Sequence, residues 1–245
     1  MPAHIAAPIE QPPGLSRYGA LAAALRSRIV AGEWPPGSAL PAEQALASQH
    51  GVALGTMRQA LALLVEQGLI ERIHGRGTFV RAGLSGAPML RFFRFGDGTE
   101  TPKSRIVSRQ TLTAPAAVAH MLGLTTGDEV LRLRRLRLLD GLPRLAEEIW
   151  LPLPLCTALQ HSDTANWGDL LYPHLAAACG VHVHRAIDQI SFGQLGASDA
   201  KALQLPTAHP CAIVQRQAFD ISGRCIEWRN SRGDAHAFHY TVSIS

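Results

Sequence analysis

Apolar residues recur every three or four positions in three stretches of the first third of the chain, a period typical of amphipathic helices. The apolar positions are Tyr18, Leu21, Leu25 and Ile29 in the first stretch, Leu46 in the second, and Met57, Leu61 and Leu64 in the third. Gly51 separates the last two stretches, and Gly68 ends the third. The pattern predicts three helices, the last two at Ala42 to Gln49 and Leu54 to Gln67.

After Gly68 the pattern becomes that of extended chain. The runs Leu69 to Ile73 and Thr78 to Arg81 flank the tetrapeptide HGRG and predict a short hairpin. Two short helices joined near a glycine form a helix-turn-helix, whose second helix enters a major groove about 12 Å wide. The hairpin would then be a wing that reaches DNA with a small, basic tip. The alternative interpretation is a small helical domain with no role in nucleic-acid binding.

Beyond Arg91 the pattern predicts strands joined by hairpins, with helices between them. An Asp-Gly pair at 140–141 separates two extended runs, which indicates a tight hairpin. A second hairpin is predicted at CAIVQRQAFDISGRCIEWRNSRGD, further strands at SRIVSRQTL, VHVHRAIDQISFG and AFHYTVSIS, and helices at APAAVAHML, WGDLLYPHLAAACG and ASDAKALQL. This order favours an antiparallel α+β domain.

Composition marks the boundaries between these parts. Residues 1–14 are rich in Pro and Ala and predict a flexible arm, and residues 82–90 are rich in Gly, Ala, Ser and Pro and predict a linker. Residues 15–81 would form the winged helix-turn-helix, and residues 91–245 the α+β domain. A chain of 245 residues is long enough for two domains.

Charge and composition narrow the classes of function. The net charge is +4 with a pI of about 9.2, and only Lys103 and Lys201 among the basic residues are lysines. Arginine suits bidentate contacts to phosphate, carboxylate and guanine. The four cysteines lack a CxxC pair, so we expect reduced thiols. No apolar run approaches the roughly 18 residues that span a bilayer, and no signal-peptide pattern is present. We therefore expect a cytoplasmic protein without membrane contact.

The first 80 residues carry a series of short motifs in a fixed order. The motifs are Pro36-Gly37, Leu40-Pro41-Ala42-Glu43, Gly51-Val52, Thr56-Met57-Arg58-Gln59-Ala60 and Gly75-Arg76-Gly77-Thr78-Phe79-Val80. In these motifs the chain resembles the GntR family of bacterial transcription regulators. The resemblance implies DNA contacts at Glu43, Gln44, Thr56, Arg58, Gln59, His74, Gly75 and Arg76. Many relatives carry Ser-Arg where this chain has Ala53-Leu54-Gly55, and some carry Arg in place of Gln44, so a relative's operator cannot be borrowed. Alternatively, Glu43 simply starts its helix, where negative charge is favourable.

The second half resembles the UTRA ligand-binding domain, which has a chorismate-lyase-like fold. The features that carry this resemblance are APAAVAHMLGLTTGDEVLRLRRLRLLDGLP, LLYPHL and the RGD near the end. Together the two resemblances indicate the HutC-type subgroup of GntR regulators. They imply a fold of the α+β class, with an N-terminal winged helix-turn-helix followed by an antiparallel UTRA domain, and a homodimer.

The first hairpin of this half carries its candidate chemistry. Alternation places Arg135 and Arg137 on one face among leucines, and a buried arginine needs an acceptor. Glu147 lies on the returning strand, opposite Arg135 if the turn has three residues and opposite Arg134 if it has two. The sequence leaves both registers open.

The resemblance implies that Arg135, Arg137 and Glu147 bind an effector, with Ser104, Tyr172 and Asp234 as further candidates. Two guanidinium groups facing one pocket suit a phosphate or carboxylate. The alternative is a ladder of Arg–Glu pairs on a solvated sheet.

The histidines raise the question of a metal site. His182 and His184 are predicted on one strand face, and His236 and His239 lie on a later segment. Two imidazoles at this spacing could bind zinc, but no carboxylate or cysteine stands at a reliable spacing beside them. We therefore expect neither a metal site nor a cofactor.

These observations predict a ligand-responsive DNA-binding transcriptional regulator. We expect a repressor that a small anionic metabolite releases from double-stranded operator DNA. One alternative is a regulator whose second domain only dimerises. An enzyme like chorismate lyase is the other, but it rests on fold analogy alone, and the chain lacks a nucleophile elbow, a phosphate loop and an HExxH motif.

Overall fold

A computed structural model describes residues 16–81 and 101–239. The chain divides into two units, Met1–Gly83 and Leu84–Ser245. The predicted arm at 1–14 and the predicted linker at 82–90 lie outside the described residues. The expected fold is confirmed: a winged helix-turn-helix precedes a unit of the α+β class with an antiparallel sheet.

The first unit contains three helices, α1 (Arg17–Val30), α2 (Glu43–Gln49) and α3 (Leu54–Glu66). Helix α1 begins at Ser16, whose hydroxyl oxygen accepts a hydrogen bond from the Gly19 amide and so satisfies one of the free donors at a helix start. Its predicted apolar positions Leu21, Leu25 and Ile29 are buried, whereas Tyr18 in the first turn is 37% exposed. The buried side chains of the helices form a shared core of Leu21, Leu25, Ile29, Leu46, Met57, Leu61 and Leu64.

The wing is a two-stranded antiparallel hairpin of β1 (Ile70–Ile73) and β2 (Gly77–Val80). Its register pairs Ile70 with Val80 and Ile73 with Gly77. Gly75 and Gly77 have φ values of +71° and +116°, a region that residues with a Cβ rarely adopt. The glycines of the HGRG tetrapeptide are therefore required by the turn itself.

The second unit is built on a six-stranded antiparallel sheet of order β3-β4-β5-β8-β7-β6. The strands are β3 (Lys103–Thr113), β4 (Glu129–Leu139), β5 (Leu142–Pro152), β6 (Arg185–Gln194), β7 (Pro210–Phe219) and β8 (Cys225–Asp234). The helices are α4 (Ala116–Leu122), α5 (Leu153–Cys156), α6 (Leu171–Cys179) and α7 (Ala197–Leu203). One face of the sheet packs with α5 and α6 around Leu133 and Ile149, and the other packs with α4 and α7.

The hairpin of β4 and β5 decides the register that the sequence left open. Its turn has two residues, Asp140 and Gly141, both with positive φ, and Leu139 pairs with Leu142. The register then shifts by one residue between Arg137 and Leu138. Arg144 has no pairing partner on β4 in this register, so it is the extra residue of a β-bulge. The tight turn and the bulge together place Glu147 opposite Arg135.

Two strand predictions need correction. Residues 181–184 precede β6, which begins at Arg185, so His182 and His184 do not share a strand face. The predicted last strand, residues 237–245, starts one residue too early, because Ala237 ends a 3₁₀ turn over Ala235–Ala237, whereas Phe238 is extended. Its residues beyond 239 lie outside the described part of the chain.

The burial pattern predicts which isoleucine of the sheet matters for stability. Ile149 is fully buried, whereas Ile187 is 46% exposed. We expect Ile149→Ala to lower the free energy of unfolding by about 2–5 kcal/mol, because it removes transfer free energy and leaves a cavity. The matched control Ile187→Ala should cost far less. Urea unfolding followed by tryptophan fluorescence measures both, and equal losses would contradict the packing described here.

Candidate functional site

One side of α3 is free to meet DNA. Met57, Ala60, Leu61 and Leu64 bury the opposite side of the helix. Arg58 and Gln59 are exposed and Thr56 is half-buried, so the three residues that the motif predicted lie on the outer side of the helix. This exposed side, with Gln44 exposed on α2, is called the recognition face below.

Glu43 links the helices to the wing. Its carboxylate accepts hydrogen bonds from Arg58 Nε at 2.9 Å and from Arg72 Nη2 at 3.0 Å. Both arginines are about half exposed or more, so these pairs contribute little to stability. A carboxylate repels DNA phosphate, and this geometry fits a residue that orients two arginines better than one that contacts DNA.

The tip of the wing is exposed and basic. His74, Gly75 and Arg76 are all exposed. The Arg76 guanidinium lies 5.6 Å from the centre of the Phe79 ring, a cation–π distance that restrains its direction. The structure thus places every DNA-contact residue of the sequence analysis on the surface of the first unit, except Glu43 and Thr56, which are half-buried.

In the second unit, charged side chains meet beneath α6 on one face of the sheet. We call them the arginine–glutamate cluster. Its members, from the central strands, are Arg135 and Arg137 of β4, Glu147 of β5, and Glu227, Arg229 and Ser231 of β8. Residues two apart on a strand share a face, and the bulge at Arg144 aligns Glu147 with the arginines. These residues therefore do not form the ladder of Arg–Glu pairs on a solvated sheet that the sequence allowed.

Glu147 is the acceptor at the centre of the cluster. It is 6% exposed and accepts hydrogen bonds from Arg135 Nε at 2.5 Å, Ser231 Oγ at 3.3 Å and Arg229 Nη1 at 3.4 Å. Burial alone would raise the pKa of Glu147, but the neighbouring guanidinium groups outweigh it and lower the pKa to about 2. The carboxylate is therefore ionised at neutral pH.

Arg137 is the member whose hydrogen bonds are incomplete. It is 3% exposed, and its Nη1 donates to the main-chain oxygen of Asp169. Its Nη2 is buried and has no hydrogen-bond partner among the described residues. Burial, aided by the Arg135 charge, lowers the pKa of Arg137 to about 10, so it remains a cation at neutral pH.

Ser104 lies beside Arg137, with which it pairs across β3 and β4. Its amide donates to Asp169 Oδ1 at 2.8 Å, and Lys103 Nζ donates to Asp169 Oδ2 at 3.1 Å. Burial would raise the pKa of Asp169, but the hydrogen bonds from Ser104 and Lys103 lower it. The acidic side chain of Asp169 thus lies in the electrostatic surroundings of Arg137.

Tyr172 closes the other end of the cluster. Its hydroxyl donates to Glu227 Oε2, and the Arg229 guanidinium lies 5.5 Å from its ring centre. Arg229 also donates from Nε to Glu227 Oε1 at 2.5 Å. Ser104, Arg135, Arg137, Glu147 and Tyr172 therefore lie near one another, and their role in effector binding stays a prediction.

Asp234 is not part of this group. Gly233 pairs with Leu145 on the cluster's face of the sheet, so Asp234 follows it on the other face. Its carboxylate accepts from His209 Nε2 at 2.8 Å and from the His236 amide at 2.9 Å. Asp234 therefore lies apart from the other predicted effector residues, and its role in effector binding stays a prediction.

Sequence reasoning missed four residues of the site. They are Asp169, Glu227, Arg229 and Ser231. A signal for three of them was present, because Glu227, Arg229 and Ser231 alternate along the strand EWRNS and must share a face. Asp169 lies in a loop before α6, where no periodicity marks it.

Comparison with known families agrees with both units. Residues 17–80 match the family described as bacterial regulatory proteins, gntR family, and residues 98–239 match the UTRA domain. The chain belongs to the GntR family. Its UTRA domain places it in the HutC-type subgroup, in which a DNA-binding helix-turn-helix unit precedes a UTRA domain. This GntR-family chain is a transcriptional regulator.

Individual relatives support the same assignment along the whole chain. The transcriptional repressor NagR of Bacillus subtilis is 28% identical over 228 residues, which cover 90% of this chain and 93% of NagR. The transcriptional regulator SmoD of Agrobacterium fabrum is 29% identical over 82% of this chain and 89% of its own length. Among solved structures, PhnF from Mycobacterium smegmatis superposes with a TM-score of 0.56 at 26% identity, covering 91% of this chain and 98% of PhnF.

NagR and SmoD carry the names of transcriptional regulators, in agreement with a non-enzymatic DNA-binding protein. No helix among residues 16–81 and 101–239 is long and apolar enough to cross a membrane.

The cluster predicts a pH dependence of stability. The Glu147 pKa is about 2 in the folded chain and ordinarily 4.5, so its stabilisation is complete above about pH 4.5 and is lost as the pH falls towards 2. Glu147→Gln leaves buried arginines unpaired and should cost about 3–5 kcal/mol at pH 6. We expect the difference from wild type to shrink below pH 4.5.

Glu148→Gln is the matched control, because Glu148 is the next residue of β5 and pairs with Arg132 at a partly exposed position. Its cost at pH 6 should be below about 1 kcal/mol. Urea unfolding at several pH values measures both variants. A Glu147→Gln cost that does not change between pH 6 and pH 3 would contradict the assignment.

Proposed function

We propose that this regulator is a repressor that a small anionic metabolite releases from its operator. The name of the Bacillus subtilis relative, a transcriptional repressor, supports the direction of control. The recognition face and the wing would bind a DNA half-site, and the arginine–glutamate cluster would bind the metabolite. A homodimer of such chains would read an inverted repeat, because operator symmetry mirrors protein symmetry.

The observation that carries the effector proposal is the free Nη2 of Arg137. A buried donor without an acceptor is costly, and an anionic group placed against it would remove that cost. The described cluster also has three arginines, at 135, 137 and 229, against the two glutamates at 147 and 227. One added negative charge would balance it.

The acidic side chains near Arg137 determine which hydrogen-bonding groups the ligand would carry besides its acidic group. The carboxylates of Asp169 and Glu147 both interact electrostatically with Arg137, and a carboxylate accepts hydrogen bonds only. A ligand that approaches Arg137 with an acidic group would therefore offer hydroxyl or ammonium donors to these carboxylates. We infer a small phosphate or carboxylate that also carries such donors, rather than a bare polyanion.

The effector proposal predicts a separation of functions. Arg137→Met should weaken metabolite binding about 10- to 100-fold, since a charge-assisted hydrogen bond contributes about 1.5–3 kcal/mol. Operator affinity without metabolite should stay within about twofold of wild type. Arg105→Met, an exposed arginine of β3, is the matched control and should change neither.

Thermal-shift screening of phosphorylated and carboxylated metabolites identifies a ligand, and calorimetry with DNA-binding isotherms then measures both affinities. An Arg137→Met protein that binds the ligand and leaves DNA like wild type would contradict the pocket. If no ligand changes operator affinity in the wild type, the second unit acts only in dimerisation.

The recognition face yields a second prediction. Arg58→Ala should weaken binding to operator by about 1–3 kcal/mol if Arg58 makes a bidentate base contact. Arg26→Ala is the control. Arg26 is exposed on α1, outside the recognition face, and its substitution removes the same charge. Isotherms on operator, selected from random DNA by the wild type, and on scrambled DNA measure the effect. If both variants lose affinity equally for both DNAs, Arg58 acts only through charge.

A further inference from the structure

A second group of ligating side chains lies at one end of the sheet, outside the arginine–glutamate cluster. It consists of His209, Asp234 and His236, here called the histidine–aspartate group. His209 immediately precedes β7, and Asp234 is the last residue of β8. The pairing of Cys211 with Asp234 brings the start of one strand to the end of the other. His236 follows in the 3₁₀ turn, so the chain delivers three ligating groups to one place.

The distances within the group are those of a site that needs little adjustment to hold a metal ion. One ligating atom from each residue lies within 4.8 Å of the other two. His209 Nε2 is 2.8 Å from Asp234 Oδ1, and the two imidazole centres are 5.5 Å apart. With bonds of about 2.0–2.2 Å to a tetrahedral zinc ion, ligand atoms are separated by about 3.4 Å. The largest separation therefore has to close by somewhat more than an ångström.

Two of the three groups are held in place and the third is free to move. The Asp234 carboxylate accepts hydrogen bonds from the His236 amide and from the His209 ring. The side chains of His209 and Asp234 are both partly buried. The His236 side chain is exposed, so rotation about its own bonds can supply the remaining movement. No main-chain rearrangement is needed.

We propose that His209, Asp234 and His236 bind one divalent transition-metal ion of the zinc type. Two imidazoles and one carboxylate suit zinc, cobalt or nickel, whereas magnesium and calcium prefer all-oxygen sites. Three protein ligands leave at least one coordination position for water or an outside ligand, as in open zinc sites. His209 would bind the ion through the lone pair of Nε2, with the proton of the neutral imidazole moved to Nδ1.

The place of this site in the sheet gives it a consequence beyond binding. Strand β8 carries Asp234 at its end and Ser231, a partner of Glu147, three residues earlier. An ion at the histidine–aspartate group would tie β7 to β8 next to the arginine–glutamate cluster. The site itself does not depend on the proposed effector, because none of its ligands belongs to that cluster.

Titration with cobalt and zinc salts tests the proposal. Full-length protein without a histidine tag, treated with a chelator and dialysed, would be titrated with Co²⁺ and followed by visible absorption, and with Zn²⁺ by calorimetry. We expect one ion per chain, absorption bands of cobalt bound by nitrogen and oxygen, and a rise in melting temperature. His236→Ala and Asp234→Asn should each weaken metal binding by at least about tenfold. Substitution of a residue that only hydrogen-bonds to a metal ligand already has an effect of this size.

Controls keep the test independent of folding. His182→Ala removes an exposed histidine outside the group and should bind metal like wild type. His236 is exposed, so its alanine variant should keep the wild-type melting temperature without metal. Arg137→Met should also bind metal normally, which separates this site from the effector pocket. Absence of one-to-one binding in the wild type, or equal binding by His236→Ala and wild type, would overturn the proposal.

Discussion

The buried pairing of Arg135 with Glu147 is the interaction on which the rest of the second unit depends. Each of these ions is almost completely removed from water, and the pairing offsets that cost only when the two side chains lie directly opposite each other. The fold meets this condition with a two-residue turn and a single bulge at Arg144. Arg229 and Ser231 then complete the coordination of the same carboxylate from the neighbouring strand.

The two functional surfaces use acidic residues in the same way. On the DNA-binding unit, Glu43 fixes the directions of Arg58 and Arg72; in the UTRA domain, Glu147 fixes Arg135. In each case a carboxylate accepts hydrogen bonds from arginine side chains and so restrains the directions of their guanidinium groups. The difference is burial, which makes the pair in the UTRA domain structurally essential and leaves the surface pair weak.

The helices and the wing could be predicted from the sequence because each follows a local rule. The helical period places Met57, Leu61 and Leu64, and the turn requires Gly75 and Gly77. The register of the β4–β5 hairpin could not be predicted, because the length of the turn does not reveal the bulge at Arg144, which shifts the pairing by one residue. Asp234 was expected beside the other predicted effector residues for a related reason: a motif gives a residue type, but only strand parity gives the face on which it lies. The face of the sheet on which Arg229 lies could have been predicted by the same argument from strand parity.

Strand β8 comes last among the strands along the chain, yet it lies between β5 and β7 in the sheet. The six-stranded sheet therefore cannot be completed until β8 has left the ribosome. The residues of the first unit leave the ribosome much earlier, so all contacts within that unit can form before this point. Non-local pairing of this kind slows folding, and domains made first generally fold first during synthesis. During translation, the helix-turn-helix unit would thus be formed while Arg135 and Arg137 of β4 still lack Glu227 and Arg229 of β8, so the two units would be completed at different times.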